Sequence, residues 1–281
     1  MGLFDALFRR SRPAESMPVQ PAAEPDAPEE AGPMTILVAN LQGLGEREEQ
    51  EDSFAVLNAT DPADLAGYGL FALVADGMGG MEGGKQASEW AASFFIQLFR
   101  ERNLKKDIPE WFYQSVHTIS GSVYQQFGGR SGTTLAAVHL LGEQLYWLSV
   151  GDSAIYLARE GGVFQLNQEH TCLNQLYLQE LDQPVIDKAR AENDEDARRL
   201  TSFVGIDRLT EVDLNLQPLA LQRGDALLLC SDGISGVLTP PELLEAMTAP
   251  PDDGVKLLER MVIEKSVPGQ DNYTGILIAC Q

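Results

Sequence analysis

The stretch LFALVADGMGGMEGGKQAS, residues 70–88, joins a strand pattern, an acid and a glycine-rich turn. Its first six residues are apolar, as in a buried strand, and they end at Asp76. Five glycines follow within eight residues, and a helical pattern begins near Gln86. Glycines let the backbone approach a ligand closely, and a carboxylate with a backbone carbonyl suits a divalent cation. The alternative is an ordinary strand-to-helix turn in which the aspartate accepts from local amides.

The composition is that of a soluble globular protein with an acidic excess. Of 281 residues, 44% are hydrophobic and 22% charged, and the formal net charge is -22. This excess argues against nucleic-acid binding, which needs a basic surface. Three cysteines without metal-ligand spacing favour a reducing compartment. There is no apolar run of roughly 18 residues and no secretory signal pattern, so we expect a cytoplasmic protein.

Residues 1–33 are predicted to form an N-terminal segment outside the folded domain. In residues 1–12, MGLFDALFRRSR, four large apolar side chains fall on one helical face and three arginines follow. This pattern predicts docking to a partner protein or to an anionic membrane surface. A disordered start with helical bias is the alternative, since so short a helix is unstable alone. Residues 13–33, rich in Pro, Ala and Glu, predict a flexible linker.

Residues 34–281 are predicted to form one α+β domain. The patterns predict strands at 35–39, 53–57, 70–75, 133–141, 144–150, 154–158, 163–166, 212–216, 226–230 and 276–279, and helices at about 85–102, 109–127, 240–247 and 255–264. Two-residue breaks at Gly142-Glu143, Gly151-Asp152 and Gly161-Gly162 favour hairpins, and therefore antiparallel pairing. Residues 171–200 are helical and polar, which is typical of an insertion over the surface.

Several acids share the position of Asp76 beside an apolar run. Asp152 lies in WLSVGDSAIYL, Asp232 in ALLLCSDGISGVL and Asp271 in VPGQDNYTGILI, and an acidic run that includes Glu51 and Asp52 precedes a strand. If the strands form one sandwich, their ends can meet at one rim, where like charges are costly without cations. Carboxylates without a nearby His or Cys pair select Mg²⁺ or Mn²⁺ over zinc. Two such ions can activate a water for phosphate ester hydrolysis.

Seven short motifs carry a family resemblance. In chain order they are REEQED, VADGMGG, SGTT, VGDSAIYL, QEHT, LLLCSDGIS and GQDNYTG. Together they resemble the metal-dependent protein phosphatases of the PPM, or PP2C-like, group, over about residues 34–281. The resemblance implies an αββα four-layer sandwich of two mainly antiparallel sheets flanked by helices. It also implies a two-metal centre, and a flap-like insertion at about 171–210 that shapes substrate access.

The resemblance also implies a function and its metal ligands. The reaction would be hydrolysis of phosphoserine and phosphothreonine in proteins, opposing a Ser/Thr kinase. Asp76 would bridge two Mn²⁺ or Mg²⁺ ions, and the Gly77 carbonyl would bind one of them. Asp232 and Asp271 would bind the other ion.

The resemblance assigns roles to five further residues. Glu51 and Asp52 would hold metal-bound waters or reach an ion directly. Arg47 would receive the substrate phosphate, for which a guanidinium is well suited. Asp152, beside the metal acids, resembles the place where many bacterial members bind a third ion. Asn272 would support the site from behind the ligands.

Two departures from the family pattern affect these assignments. Gln50 stands where the first motif usually has Asn, and Met78 stands where some relatives have a His thought to be the general acid. A catalytically silent member that binds phosphoproteins as a regulator is the alternative function. Because such members usually lose a metal acid, the presence of Asp76, Asp232 and Asp271 favours an enzyme.

Overall fold

A computed structural model describes residues 34–78, 83–104 and 106–281. The predicted docking segment and linker, residues 1–33, lie outside the described residues, as do residues 79–82 of the glycine-rich turn. The strands are β1 Ile36–Gly43, β2 Ser53–Leu57, β3 Leu70–Ala75, β4 Leu135–Leu141, β5 Gln144–Val150, β6 Ala154–Arg159, β7 Gly162–Gln165, β8 Asp213–Leu214, β9 Leu219–Ala220, β10 Ala226–Cys230 and β11 Tyr273–Cys280. The helices are α1 Pro62–Tyr68, α2 Gly84–Arg100, α3 Ile108–Phe127, α4 Cys172–Leu181, α5 Lys188–Glu192, α6 Asp232–Ser235, α7 Pro240–Thr248 and α8 Pro251–Lys265.

The strands form two antiparallel sheets. The first sheet has the order β1-β11-β10-β6-β7, and the second has the order β2-β3-β4-β5-β8, with β9 also paired to β5. Helices α2 and α3 pack on the second sheet, and α7 and α8 pack on the first. The remaining faces of the two sheets pack on each other. This αββα sandwich confirms the predicted fold.

Strand β3 shows why the four layers form. All six of its residues are buried, since one face meets helices and the other meets the first sheet. Phe71 points to the helices and stacks on Phe99, with ring centroids 4.7 Å apart. Val74 points the other way, into the core shared with Ile155 and Leu227. Full burial of each such side chain contributes roughly 1.5–3 kcal/mol, so the strand anchors the acid that follows it.

The two-residue breaks do not all form hairpins. The chain turns back at Gly142-Glu143, between β4 and β5, and at the break between β6 and β7, as predicted. At Gly151-Asp152 the prediction is wrong, because β5 belongs to the second sheet and β6 to the first. Gly151 has φ +98°, and a Cβ there would lie 2.7 Å from Thr134 Cγ2. This close crossover places Asp152 at the seam between the sheets.

Several element boundaries differ from the sequence prediction. Strand β11 begins at Tyr273 and not at Ile276, because Gly43 pairs with Tyr273 and so extends the ladder with β1. Helix α1 was not predicted, although Asp61 accepts from two amides of its first turn and a proline opens it. None of the helices in the described part of the chain is long and apolar enough to cross a membrane.

Candidate metal centre

Five acids occupy strand ends at one end of the sandwich. They form the acid cluster, Asp52, Asp76, Asp152, Asp232 and Asp271. Asp76 directly follows β3, and Asp232 begins α6 just after β10. Asp76 and Asp232 lie near each other, since each carboxyl group affects the pKa of the other. Asp76 also feels the charges of all four other members of the cluster. The folded chain therefore brings together the acids that the sequence singled out.

Burial and mutual repulsion disfavour the ionised forms of these carboxyl groups. Burial raises the pKa of Asp76 well above its usual range, and the neighbouring carboxylates add to that rise. Burial raises the pKa of Asp152 to about 7, with the charges of Asp232 and Glu169 acting in the same direction. Desolvation and the charge of Asp271 also raise the pKa of Asp232. A cation among these groups would offset both effects.

Asp52 has one oxygen that the protein leaves unpaired. The residue is only 5% exposed. Its Oδ2 accepts a hydrogen bond from Ser231 Oγ at 2.8 Å. Its Oδ1 is buried and has no hydrogen-bond partner among the described residues. Burial raises the pKa of Asp52 to about 6. A buried carboxylate oxygen without a partner is a position where a hard cation or its water would be stabilised.

Arg47 lies at the rim of the acid cluster. Its Nη2 donates to Asp271 Oδ2 at 2.6 Å, and both side chains are about two-fifths exposed, at 43% and 40%. Burial raises the pKa of Asp232, and the Arg47 guanidinium offsets a small part of that rise. Arg47 and Asp271 therefore bind each other here. The predicted roles were phosphate binding for Arg47 and metal binding for Asp271.

Two amide side chains hold the loop before β2 in place. Asn272 Oδ1 accepts from the Glu51 backbone N–H at 2.8 Å, and its Nδ2 donates to Leu44 O at 2.8 Å. Gln50 Oε1 accepts from the Asp52 N–H at 2.9 Å, and its Nε2 donates to Gly43 O at 3.0 Å. Gln50 therefore satisfies the backbone on both sides of its loop. Burial raises the pKa of Glu51, whose backbone Asn272 positions.

Gly77 is closely surrounded by backbone. Its N–H donates to Glu51 O at 3.2 Å. A Cβ at this position would lie 2.5 Å from Gly84 O and 2.6 Å from Glu51 O, so no other residue fits without displacing backbone. Its neighbour Asp76 is held by Thr134, whose Oγ1 accepts from the Asp76 N–H at 3.0 Å. The turn after β3 is therefore fixed from both sides.

The carboxylate oxygens of the acid cluster are the ligand type that a hard divalent cation prefers, but their positions do not form a complete coordination site. In residues 34–78, 83–104 and 106–281, no three His, Cys, Asp or Glu side chains are placed to hold one ion together. Arg47 donates to one oxygen of Asp271, and Ser231 donates to one oxygen of Asp52. The unpaired Asp52 Oδ1 and the raised pKa values nevertheless indicate a site built for positive charge.

A cavity of about 480 Å³ opens beside the acid cluster. Asp152, Asp232 and Asp271 line it from the sandwich, and Arg198 lines it from the 171–210 insertion. Within the insertion, the Cys172 N–H donates to Arg199 O at 2.9 Å, which holds the segment next to Arg198 against the start of α4. Burial raises the pKa of Asp232, and the charge of Arg198 offsets part of that rise, so this arginine acts on the acid cluster. Sequence reasoning missed Arg198 because nothing local separates it from the surrounding charged run.

Solved structures share this architecture. The S. agalactiae serine/threonine phosphatase matches 87% of this chain and 99% of its own, with a TM-score of 0.75 and 24% identity. The catalytic domain of serine threonine protein phosphatase PstP in complex with two manganese ions matches 88% of this chain and 99% of its own. Its TM-score is 0.67 and its identity 22%. The fold is therefore that of the αββα protein phosphatases.

Sequence comparisons identify the family. The family model described as Protein phosphatase 2C matches residues 49–259. Serine/threonine phosphatase stp of Listeria innocua is 27% identical over 241 residues, which span 83% of this chain and 90% of that protein. The chain belongs to the protein phosphatase 2C family.

Proposed function

We propose that this protein is a Mn²⁺- or Mg²⁺-dependent phosphatase that hydrolyses phosphoserine and phosphothreonine in other proteins. The observation that carries the proposal is the meeting of the acid cluster at one end of the sandwich. Membership of the protein phosphatase 2C family and the phosphatase names of its relatives support it. Retention of all the predicted metal acids argues against the silent, phosphoprotein-binding alternative.

The cluster divides the metal ligands among separate elements. The two ions would be held by Asp76, the Gly77 carbonyl, Asp232 and Asp271, with Asp76 shared between them. Asp52, through its unpaired Oδ1, and Glu51 would reach an ion directly or hold its bound water. Asp152 would contribute to a third metal position. When bound, the ions lower the pKa of a water to produce the nucleophile and stabilise the charge that develops on phosphate.

Two arginines near the acid cluster provide the phosphate contacts. Arg47 is at the rim near Asp271, and Arg198 comes from the 171–210 insertion. If Asp271 were to ligate an ion, its bond to Arg47 would be replaced, and the guanidinium would be free to contact the substrate phosphate. A bidentate guanidinium contact suits a phosphoryl group better than any other side chain does. The insertion thus serves as the flap over the substrate cavity.

The partners follow from the reaction. Substrates are phosphorylated proteins, and a Ser/Thr kinase supplies the phosphate that the enzyme removes. The enzyme acts in the cytoplasm, and residues 1–12 dock it to a protein or to a membrane surface. Deleting residues 1–33 is expected to leave hydrolysis of a small aryl phosphate unchanged, since the acid cluster lies wholly within the described domain.

A chelator-controlled assay on the purified full chain tests the function. Released phosphate is measured with a phosphothreonine peptide after metal removal, and again after Mn²⁺ or Mg²⁺ is restored. We expect no turnover without metal, full recovery with it, and much slower release from the matched phosphotyrosine peptide. Hydrolysis that survives complete chelation would contradict the metal mechanism. Inactivity with both restored metals would support the silent alternative.

A further inference from the structure

His170 lies directly behind the wall of the cavity beside the acid cluster. Its neighbours Glu169 and Thr171 line that cavity, whereas His170 is only 9% exposed and does not line it. Its ring instead contacts Gly151, where the chain crosses from the second sheet to the first. His170 is therefore placed to support the cavity and not to touch the substrate.

His170 and Gly151 exchange two hydrogen bonds. The Gly151 N–H donates to His170 Nδ1 at 3.1 Å, and the His170 N–H donates to Gly151 O at 2.9 Å. Because an N–H donates to Nδ1, this nitrogen is the acceptor and Nε2 carries the ring proton. Burial lowers the pKa of His170, which favours the neutral ring that this contact needs.

The use of a ring nitrogen leaves the backbone carbonyl of His170 free to bind another segment. In an ordinary antiparallel pair, two residues exchange backbone N–H and C=O groups in both directions. Here Nδ1 takes the place of the His170 carbonyl, and that carbonyl accepts from the Thr201 N–H at 2.8 Å. One residue thus joins the crossover at Gly151, the start of the 171–210 insertion and the returning chain at Thr201.

Two of these segments carry a charged group of the cavity. Asp152 directly follows Gly151 at the crossover, and Arg198 comes three residues before Thr201 in the insertion. Both side chains line the cavity beside the acid cluster. If the insertion moved away from the crossover, the position of Arg198 relative to Asp152 would change.

We propose that His170 is a positioning residue that holds the insertion against the crossover and so fixes Arg198 relative to the acid cluster. This role rests on the proposed function, in which Arg198 contacts the substrate phosphate. A residue that acts in this way affects substrate binding through Arg198. A residue that only stabilised the fold would lower Tm without a selective effect on KM.

A double-mutant cycle with a phosphothreonine peptide and Mn²⁺ tests the role. His170→Leu removes the acceptor for the Gly151 N–H, and it should raise KM about three- to tenfold with a small change in kcat. Because His170 acts through Arg198, adding His170→Leu to Arg198→Met should raise KM no further. A further increase of KM in the double variant, or an unchanged KM in His170→Leu alone, would overturn the proposal.

His170→Asn is the conservative comparison. The asparagine Oδ1 is bonded to Cγ, as Nδ1 is, and accepts from the same Gly151 N–H, so KM should stay within about twofold of wild type. His117→Leu, at a histidine of α3, is the matched control and should leave KM and kcat unchanged. An equal rise of KM in His170→Asn and His170→Leu would show that the acceptor is not what matters, and would refute the role.

Amide hydrogen exchange in EDTA reports on the same contacts without turnover. In His170→Leu, exchange at Gly151 and Thr201 should accelerate at least about tenfold, while amides of β11 keep their wild-type rates. His170→Asn should retain slow exchange at both positions. Equal rates in wild type and His170→Leu would contradict the proposal. Because this readout needs no activity, an inactive wild type would count against the proposed function and leave the exchange test of His170 in force.

Nitrogen NMR of the wild-type imidazole ring remains informative if His170→Leu fails to fold. His170→Asn identifies the His170 signals among those of the three histidines. The ring should carry its proton on Nε2, and Nδ1 should show a coupling through the hydrogen bond to the Gly151 amide nitrogen. A proton on Nδ1 would exclude this hydrogen bond and overturn the proposal.

Discussion

Asp52→Asn should separate the stability of the metal-free protein from its metal binding. Asn has nearly the same shape and can still accept from Ser231 Oγ, but it carries no charge. The Asp52 carboxyl is buried, and burial raises its pKa to about 6. In the unfolded chain an aspartate ionises near pH 3.9. A raised folded pKa means that Asp52 contributes less stability as the pH rises through about 6. The asparagine does not lose stability in this way.

The magnitude follows from proton linkage. Between pH 5 and pH 8 the unfolded aspartate is ionised throughout, whereas the folded one releases its proton. With a folded pKa of about 6, the proton that the folded state binds between pH 5 and pH 6 stabilises it at pH 5 but not at pH 8. The free energy of unfolding of the wild type therefore falls by about 1.4 kcal/mol from pH 5 to pH 8, the equivalent of about one pH unit. For a domain of this size, that corresponds to a Tm difference of roughly 3–6 °C. The Tm of Asp52→Asn relative to the Tm of the wild type should therefore rise by this amount between pH 5 and pH 8.

The assay is thermal unfolding in EDTA at pH 5, 6, 7 and 8, with Asp64→Asn, an exposed carboxylate on α1, as the control. Addition of Mn²⁺ at pH 8 should then stabilise the wild type more than Asp52→Asn, because the ion replaces the proton at the carboxylate. The reasoning is refuted if the Tm difference between Asp52→Asn and wild type stays constant from pH 5 to pH 8.

Three further predictions concern the catalytic site. Asp76→Asn should lower kcat by ~10³-fold or more while circular dichroism stays native, because the bridge between ions is lost; a variant that keeps a tenth of the wild-type rate would contradict that role. Arg198→Met should raise KM for a phosphopeptide about three- to tenfold with a small change in kcat, and an unchanged KM would mean that the insertion does not touch substrate. Asn272→Ala should lower the free energy of unfolding by about 1 kcal/mol and weaken Mn²⁺ binding at least tenfold by titration calorimetry; intact Mn²⁺ affinity would make Asn272 purely structural.

The strands and the acids at their ends were predictable because their signals are local. The apolar run of 70–75 and the strand 226–230 appear in the structure with the predicted bounds. Asp76 follows the first of these strands directly, and Asp232 follows the second after one residue, Ser231. Once the strands were expected to form one sandwich, their ends had to meet at a rim. The αββα order itself rested on the family resemblance, because periodicity shows which residues are buried but not which sheet they join.

Contacts between distant segments were not predictable in the same way. Gly151-Asp152 resembles a hairpin turn, yet the chain crosses there between sheets, because β6 pairs with β10 and not with β5. The pairing of Arg47 with Asp271 joins residues 224 positions apart.

The sequence by itself determined the strand and helix pattern and the acids at the strand ends. It also determined that residue 77 is a glycine, which can lie against the Glu51 backbone. Only the tertiary structure decided that Arg198 lines the same cavity as Asp152, Asp232 and Asp271. The physical reason is that backbone conformation and burial follow from neighbouring residues. By contrast, the partner of a charge depends on which surfaces the packed layers bring together.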